Sequence, residues 1–194
     1  MPESLAREAV LSRLRGRFGR SYTFVESTPS TQLLVPAEGP EGTLVVADEQ
    51  TAGRGRLGRS WLAPAGTSLL CSLQLRPPVP AKRLPELTLV AARACGEAIA
   101  ALTGLVPELK FPNDLLLGGR KVAGVLAEAR EARVVLGIGI NVNVPEAELP
   151  ADLAKPATSL LVECGRELDR AELLVELLER LEFRYDEWAE TTRL

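Results

Sequence analysis

Short apolar segments that are typical of strands alternate along this chain with segments of helical periodicity, and this order constrains the fold most. Apolar residues at steps of three and four predict helices over residues 3–18, over Leu87–Leu102 and after Asp169. Apolar, β-branched runs predict strands at 22–26, 43–47, 68–75, 122–129 and 133–144. This order is typical of α+β proteins, so we expect a mixed, largely antiparallel sheet covered by helices.

The ends of the two longer helices carry specific signals. Gly104 can adopt the left-handed conformation that ends a helix, and Gly118–Gly119 predicts a turn. Asp169 is a good N-cap, with Glu172 three residues later and an apolar pair, Leu168 and Leu173, around it. The predicted apolar face of this last helix comprises Leu174, Leu177, Leu178, Leu181, Tyr185 and Trp188.

Composition excludes several kinds of chemistry. The 194 residues include 23 Lys or Arg, 26 Asp or Glu and no histidine, so the net charge is −3. Without histidine there is no Ser-His-Asp or Cys-His nucleophile and no imidazole metal site. The slightly acidic balance argues against general nucleic-acid binding. The sequence also lacks an apolar run of roughly 20 residues and a signal-peptide pattern, so we expect a cytoplasmic protein without a membrane partner.

Cys71, Cys95 and Cys164 are far apart and lie among apolar residues and glycine. No Cys-x-x-Cys pair is present to hold a metal or a redox disulfide. We therefore predict reduced thiols buried in the core.

The segment Gln50–Trp61 (QTAGRGRLGRSW) is the most unusual, with three arginines and three glycines in residues 53–59. Glycine permits close backbone approach, and the planar guanidinium matches carboxylate or phosphate oxygens. A solvated turn or an RGG-type nucleic-acid segment is the alternative. The position between two apolar strands, with Trp61 as a possible wall, favours a flexible loop around an anionic ligand.

A second motif, Lys110–Asp114 (KFPND), precedes Arg120–Glu128 (RKVAGVLAE). Pro112 restricts the preceding Phe111 to extended conformations and so fixes how the flanking polar residues are presented. Lysine can neutralise phosphate charge and aspartate can hold Mg²⁺ directly or through water. The alternatives are a turn aspartate that accepts backbone N–H bonds and, for Lys121, an ordinary surface lysine.

The third motif, Gly137–Asn143 (GIGINVN), places glycines inside a predicted strand. Such glycines usually mark close approach by a ligand or another backbone. Asn141 offers a donor and an acceptor that suit a base or ribose edge. The motif is not GxGxxG and no helix follows it, so a Rossmann fold is disfavoured.

Taken together, these motifs resemble the biotin protein ligases over residues 20–190. The matching segments are Ser30–Gln32, Gln50–Trp61, Lys110–Lys121, Val122–Glu128 and Gly137–Asn143. The resemblance implies a single catalytic domain over residues 1–194, with the class II synthetase-like fold of biotin/lipoate ligases. It also implies two steps: the biotin carboxylate attacks the α-phosphate of MgATP, and a lysine of a biotin carboxyl carrier protein then takes biotin from biotinyl-5′-AMP. No histidine is needed, because the attacking carboxylate is already ionised.

The resemblance also implies roles for individual residues. Arg56, Lys121 and Lys110 would be catalytic, and Asp114 would hold Mg²⁺. The implied biotin ligands are Ser30, Thr31, Gln32, Gln50, Gly53, Arg54, Gly55, Arg56, Trp61, Lys121 and Gly124. The implied nucleotide contacts are Arg56, Trp61, Lys110, Asn113 and Asn141. Ser27–Thr28 is an alternative to Ser30–Thr31, but the second pair fits the family's Ser-Thr-Asn/Gln pattern better.

Two departures from the family accompany these expectations. Leu57 stands where a further arginine or another polar residue is common. The chain is expected to lack both the small C-terminal β-barrel domain and an N-terminal DNA-binding domain. A lipoate or octanoate ligase and a non-catalytic biotin-sensing module are the alternative functions, and a homodimer is a possible assembly.

Overall fold

The computed structural model describes residues 5–131, 133–150 and 156–191. Its strands are β1 (Tyr22–Thr28), β2 (Leu44–Gln50), β3 (Gly53–Arg54), β4 (Ser60–Trp61), β5 (Ser68–Leu75), β6 (Glu108–Lys110), β7 (Asp114–Leu117), β8 (Arg120–Arg130) and β9 (Arg133–Asn141). Its α-helices are α1 (Arg7–Leu11), α2 (Thr31–Leu34), α3 (Leu87–Thr103), α4 (Leu160–Cys164) and α5 (Arg170–Glu190).

Seven of these strands form one sheet in the order β1-β2-β5-β9-β8-β7-β6, and β3 pairs with β4 in a separate small ribbon. The β1–β2 pair is parallel, whereas the other five pairs of the large sheet are antiparallel. The predicted α+β class with a mixed, largely antiparallel sheet is therefore confirmed.

The two faces of the sheet differ because side chains alternate along each strand. In β9, Leu136, Ile138 and Ile140 belong to the main core. Gly137 and Gly139 alternate with them and occupy positions on the opposite face of the sheet. One face of the sheet therefore packs against helices, while the other has a strip without side chains at its centre.

Helices α3 and α5 pack against each other and supply much of the main core. Gly104 ends α3 in the left-handed conformation, with φ 75°. The Asp169 carboxylate caps α5 by accepting hydrogen bonds from the N–H groups of Ala171 and Glu172 at 2.8 and 2.9 Å. The predicted apolar face of α5 is buried in full: Leu174, Leu177, Leu178, Leu181, Tyr185 and Trp188. These sequence predictions are confirmed.

The predicted N-terminal helix over residues 3–18 is wrong in its length, since α1 spans Arg7–Leu11 and residues 3 and 4 lie outside the described residues. The backbone N–H groups of Arg17 and Phe18 donate to the Glu182 carboxylate on α5 at 2.7 and 2.9 Å. These donors therefore bond to another helix instead of to carbonyls of their own segment. Phe18 is still buried, as its periodic position predicted.

The strands differ from prediction mainly at their ends. β1 and β2 continue to Thr28 and Gln50, β8 runs over Arg120–Arg130, and β9 ends at Asn141. Strand β7 lies between β6 and β8 in the sheet. The predicted turn at Gly118–Gly119 connects β7 to β8, and both glycines have positive φ. Because β1 and β2 extend past their apolar runs, polar residues such as Thr28 and Gln50 stay in the sheet, whereas β9 ends before the predicted residue 144.

The three cysteines are free thiols, as predicted. Cys71 and Cys95 are buried, and burial raises the pKa of Cys71 to about 12. Cys164 is half-buried, which corrects the prediction that all three are core residues. In the described parts of the chain, no helix combines the length and apolarity needed to cross a membrane.

Candidate active site

A cleft of about 610 Å³ opens on the face of the sheet opposite the main core. The 50–61 segment, the β6–β7 turn and strands β8 and β9 contribute its walls. The cleft gathers all the predicted site residues except one: Ser30, Thr31, Gln32, Gln50, Arg54, Gly55, Arg56, Trp61, Lys110, Asn113, Asp114, Lys121, Gly124 and Asn141. Motifs that are distant in sequence therefore share one site.

Gly53 is the exception, because it is buried beside the cleft rather than lining it. A Cβ atom at this position would lie 2.5 Å from the carbonyl oxygen of Trp61 and 3.1 Å from Nε2 of Gln50. Gly53 thus allows β3 and β4 to approach closely. Its glycine character is explained by packing within the ribbon.

One part of the cleft is polar and uncharged. Oε1 of Gln50 accepts hydrogen bonds from the backbone N–H of Thr31 at 2.8 Å and from its hydroxyl at 3.0 Å. The Thr31 hydroxyl also lies 2.7 Å from the hydroxyl of Ser72 on β5. With its oxygen held by two donors, Gln50 presents its amide N–H₂ as the remaining donor. Ser30 is 1% exposed beside this group.

Gln32 lies across the glycine strip of β9. Its Nε2 donates to the carbonyl of Leu126 at 3.2 Å, and a Cβ at position 137 would lie 2.7 Å from that nitrogen. Its Oε1 is buried and has no hydrogen-bond partner among the described residues. A buried acceptor of this kind gains stability when a donor reaches it.

Trp61 covers the same strip farther along. A Cβ at Gly139 would lie 2.7 Å from the indole Cε2, and one at Gly124 would lie 3.1 Å from Cζ3. The glycines were predicted to mark close approach by a ligand or another backbone, but the side chains of Gln32 and Trp61 make that approach. The Trp61 indole N–H is buried and lacks a partner within the described part of the chain.

In the charged part of the cleft, each polar or charged side chain contacts the next. Nζ of Lys121 lies 2.8 Å from Oδ1 of Asp114 and 5.3 Å from the centroid of the Trp61 ring. Nδ2 of Asn113 donates to the same carboxylate at 3.3 Å, and Nη1 of Arg56 donates to Oδ1 of Asn113 at 3.4 Å. Lysine and arginine therefore converge on the Asn113–Asp114 pair from two sides.

Lys110 is next to this group because it pairs with Asp114 across β6 and β7. The Phe111–Pro112 peptide bond in the intervening turn is cis. Residues 110–113 form part of the cleft wall. Three cationic side chains, Lys110, Lys121 and Arg56, flank one carboxylate in this region.

The arginine-rich loop forms the outer wall of the cleft. The side chains of Arg54, Arg56 and Arg59 are exposed, and the loop folds back so that Gly55 N–H donates to the Arg59 carbonyl at 2.6 Å. Leu57 is 88% exposed at the tip, and its φ of 57° lies in a region that leucine rarely adopts. The guanidinium groups are thus placed at the mouth of the cleft, where Arg56 donates to Asn113.

Asn141 lies at the edge of the cleft and is 6% exposed. Its Nδ2 donates to the carbonyl of Thr158 at 2.9 Å, which ties the end of β9 to the segment before α4. Sequence reasoning missed Ser72, which lines the cleft beside Thr31. Ser72 carried a signal, since it is a polar residue at an alternate position of an otherwise apolar strand.

A protein-only metal site is absent from the described residues, which contain no group of three or more potential Asp, Glu, His or Cys ligands. Asp114 is the one carboxylate among the described residues that line the cleft, and its side chain is 17% exposed. A single carboxylate suits Mg²⁺ that arrives with phosphate oxygens and water as its other ligands.

Comparison with known proteins agrees with this geometry. Residues 24–144 match the Biotin/lipoate A/B protein ligase family. The chain is 40% identical to the bifunctional ligase/repressor BirA of Bacillus spizizenii, over 97% of this chain and 60% of that protein. It is 39% identical to the biotin–[acetyl-CoA-carboxylase] ligase of Mycobacterium tuberculosis, over 76% of this chain and 56% of the relative.

Among solved structures, the biotin protein ligase of Aquifex aeolicus in complex with biotin and ATP superposes with a TM-score of 0.81 at 36% identity. That match covers 89% of this chain and 73% of the other. The chain spans about 60% of the length of the Bacillus relatives it matches. The family match covers more than half of the chain and includes its site motifs, and the chain therefore belongs to the biotin/lipoate A/B protein ligase family.

Proposed function

We propose that this chain is an ATP-dependent biotin protein ligase that forms biotinyl-5′-AMP and transfers biotin to a lysine of a biotin carboxyl carrier protein. The observation that carries the proposal is the division of a single cleft into two parts. One part holds the Thr31–Gln50 pair, and the other holds Lys121 and Arg56 around Asn113 and Asp114. A ligand with a polar, uncharged head and a carboxylate at the end of an apolar tail fits this division.

The uncharged part suits the ureido head of biotin. This head has one carbonyl and two N–H groups, so it needs donors and acceptors together. Gln50 supplies an oriented amide donor, Ser30 and Thr31 supply hydroxyl groups, and Gln32 supplies a buried acceptor that has no partner among the described residues. The Trp61 ring, which packs on the glycine strip, provides an apolar wall for the tail.

The charged part suits the reaction between two anions. A carboxylate and a phosphate about 4 Å apart repel each other by about 4 kcal/mol at an effective dielectric constant of about 20, which is roughly a thousandfold in rate. Lys121 and Arg56 reach this part of the cleft from opposite sides, so they can offset that repulsion as the oxygens approach. We assign Lys110 to the distal phosphates and Asn141 to the nucleotide, and this assignment is supported by their positions on the lining of the same cleft.

Magnesium would enter this site with the nucleotide. Asp114 would hold the ion, directly or through water, and the ion would supply charge neutralisation at the phosphates. Asp114 also pairs with Lys121, so its carboxylate helps to fix the position of the ammonium. The exposed arginine loop can then close over the nucleotide and keep water from the mixed anhydride.

The names of the relatives support the same activity, since they are called biotin–[acetyl-CoA-carboxylase] ligases or bifunctional ligase/repressors. We infer a cytoplasmic biotin carboxyl carrier protein as the acceptor. Homodimerisation and the absence of nucleic-acid binding stay predictions from the sequence. Sedimentation with and without biotin and ATP tests the first, and a binding titration with duplex DNA tests the second.

The deciding experiment follows pyrophosphate release from ATP and Mg²⁺ with biotin, lipoate or octanoate as the acid. We expect release with biotin, followed by biotin transfer to a carrier domain. Preference for lipoate or octanoate would assign the chain to the other activity of its family. Biotin binding without pyrophosphate release would instead identify the chain as a non-catalytic biotin-sensing module.

A further inference from the structure

The backbone of Lys121 is held by a segment that lies far from it in sequence. Its N–H donates to the Pro156 carbonyl at 2.9 Å, and its carbonyl accepts from the Thr158 N–H at 2.8 Å. This is a parallel bridge centred on Ala157, which itself lines the cleft. The regular pairing of β8 with β9 reaches only Ala123 and Ile140, so residues 156–158 take the place of β9 beside Lys121.

The other side of Lys121 is less regular. Its neighbour there is Leu116 on β7, and the β7–β8 register shifts between Leu115 and Leu116. A register shift of this kind disrupts the ladder locally. The direction in which Lys121 leaves the sheet therefore depends strongly on the bridge to residues 156–158.

Side chains hold that bridge in place. Oε1 of Glu163 on α4 accepts from the Thr158 hydroxyl at 2.6 Å and from Nη2 of Arg120 at 2.7 Å. Arg120 immediately precedes Lys121, so one carboxylate oxygen of Glu163 links β8 to residues 156–158. Thr158 is fully buried, and the Glu163 side chain is 20% exposed, which makes these charge-assisted contacts stronger than surface ones.

We propose that Thr158, Glu163 and Arg120 form a brace that positions Lys121 for the formation of the adenylate. None of the three lines the cleft, so they are positioning residues that act through the backbone of β8. This inference rests on the proposed function. It adds that the position of the Lys121 ammonium depends on the contacts of Glu163 with Thr158 and Arg120, as well as on its ion pair with Asp114.

Thr158→Val tests the brace with little change in shape. Valine removes the hydroxyl that donates to Glu163, while Arg120 still satisfies the carboxylate. We expect kcat for biotin-dependent pyrophosphate release to fall roughly tenfold or more, as expected for loss of a hydrogen bond to a charged group. The dissociation constant for biotin without ATP should change less than kcat does, because Thr31 and Gln50, which we assign to the head of biotin, lie on other elements. Thr158→Ser restores the hydroxyl and should recover most of kcat.

Glu167→Gln is the matched control for Glu163→Gln, because Glu167 is an exposed glutamate just beyond α4. We expect Glu167→Gln to have the kcat of the wild type and Glu163→Gln to have a lower kcat. Normal kcat in Thr158→Val, or equal losses in Thr158→Val and Thr158→Ser, would overturn the brace. An equal loss of biotin affinity together with a lower unfolding temperature would overturn it as well, since that result assigns the contacts a structural role alone.

Amide hydrogen exchange without ligands separates this inference from the proposed function. In Thr158→Val, the N–H groups of Lys121 and Thr158 should exchange faster, while those in the centre of β9 stay unchanged. Unchanged exchange at both amides contradicts the brace whatever the activity. A wild-type chain without pyrophosphate release contradicts the proposed function and leaves the exchange result to decide the brace.

Discussion

At the scale of single residues, the cleft depends on positions where a side chain is absent as much as on the reactive groups. Gly139 and Gly124 lie under the Trp61 ring, and Gly137 lies under Gln32. These glycines sit on the cleft face of strands whose alternate residues fill the core. Because the sheet carries no side chains there, Trp61 and Gln32 can pack directly on its backbone and line the cleft.

Gly139→Ala should displace the Trp61 ring, since the added Cβ would lie 2.7 Å from Cε2. We expect weaker biotin binding by at least roughly tenfold and a shift in tryptophan emission in a Trp188→Phe background; overpacking of this kind typically costs about 1–3 kcal/mol. Isothermal titration and fluorescence measure the two effects.

Gly96→Ala is its control, because Gly96 lies within α3 and a Cβ there meets its nearest atom at 4.0 Å. That variant should keep biotin affinity and gain about 0.5–1 kcal/mol in the free energy of unfolding. Equal biotin affinity in Gly139→Ala and the wild type would show that Trp61 does not depend on the strip.

Lys121→Gln and Arg56→Gln each remove one cation from the charged part of the cleft. We expect each to lower the rate of adenylate formation by roughly 10²–10³-fold, because the repulsion between the two anions is no longer offset. Single-turnover measurement of pyrophosphate checks the rate. Lys82→Gln, which removes an exposed lysine, should retain the wild-type rate. Normal rates in both cleft variants would remove these residues from the reaction.

At the scale of elements, α5 anchors both the core and the N-terminal segment. Its N-cap carboxylate, Asp169, also accepts a hydrogen bond from Nη1 of Arg13 at 2.7 Å. Partial burial raises the pKa of Asp169, but the hydrogen bonds from Arg13 and the N–H groups of Glu172 and Ala171 outweigh it, so the net pKa is lowered. The ionised form is therefore the one that stabilises the fold.

Asp169→Ala should lower the free energy of unfolding by about 1 kcal/mol at neutral pH through loss of the cap. Because the folded-state pKa is lowered, this contribution is present above the unfolded-state pKa and disappears as the pH falls through the folded-state value. Urea unfolding over a pH series measures it. Asp169→Asn keeps a cap without the charge, so its deficit should be smaller. A difference between wild type and Asp169→Ala that stays constant into strong acid would contradict this account.

The element scale also shows where prediction from sequence ends. The N-terminal residues have helical spacing, yet α1 stops at Leu11, and the N–H groups of Arg17 and Phe18 bond to Glu182 on α5. By contrast, β5 and α3 match their predicted spans to within one residue. Local periodicity is sufficient for an element whose own hydrogen bonds are complete, but not for one that bonds to a distant carboxylate.

At the scale of the whole molecule, two cysteines report on the cohesion of the core. Cys71 on β5 and Cys95 on α3 lie in the same apolar layer between sheet and helices. Burial raises the pKa of both thiols, and burial also dominates the smaller rise at half-buried Cys164. Exposure of the first two requires the helices to separate from the sheet.

In the native protein a thiol reagent should therefore modify Cys164 first, while Cys71 and Cys95 react at the rate of global unfolding. Mass spectrometry of digests identifies the modified residues over time. Cys164→Ser should leave the native chain nearly inert, and urea should make both remaining thiols reactive. Modification of Cys71 as fast as Cys164 would show that the core opens locally.

The sequence by itself determined the class of fold, the long elements and the chemistry of the cleft, since periodicity and side-chain type are local properties. The resemblance of its motifs to the biotin protein ligases named fourteen residues that the structure places in one cleft, and it placed Gly53 there although packing explains that glycine. Only the tertiary structure decided that the strand glycines accommodate Gln32 and Trp61, that Glu182 accepts from the N–H groups of Arg17 and Phe18, and that Glu163 ties Thr158 to Arg120. Each of these contacts joins residues far apart in the chain, and no local pattern specifies which distant partner the folded sheet brings into reach.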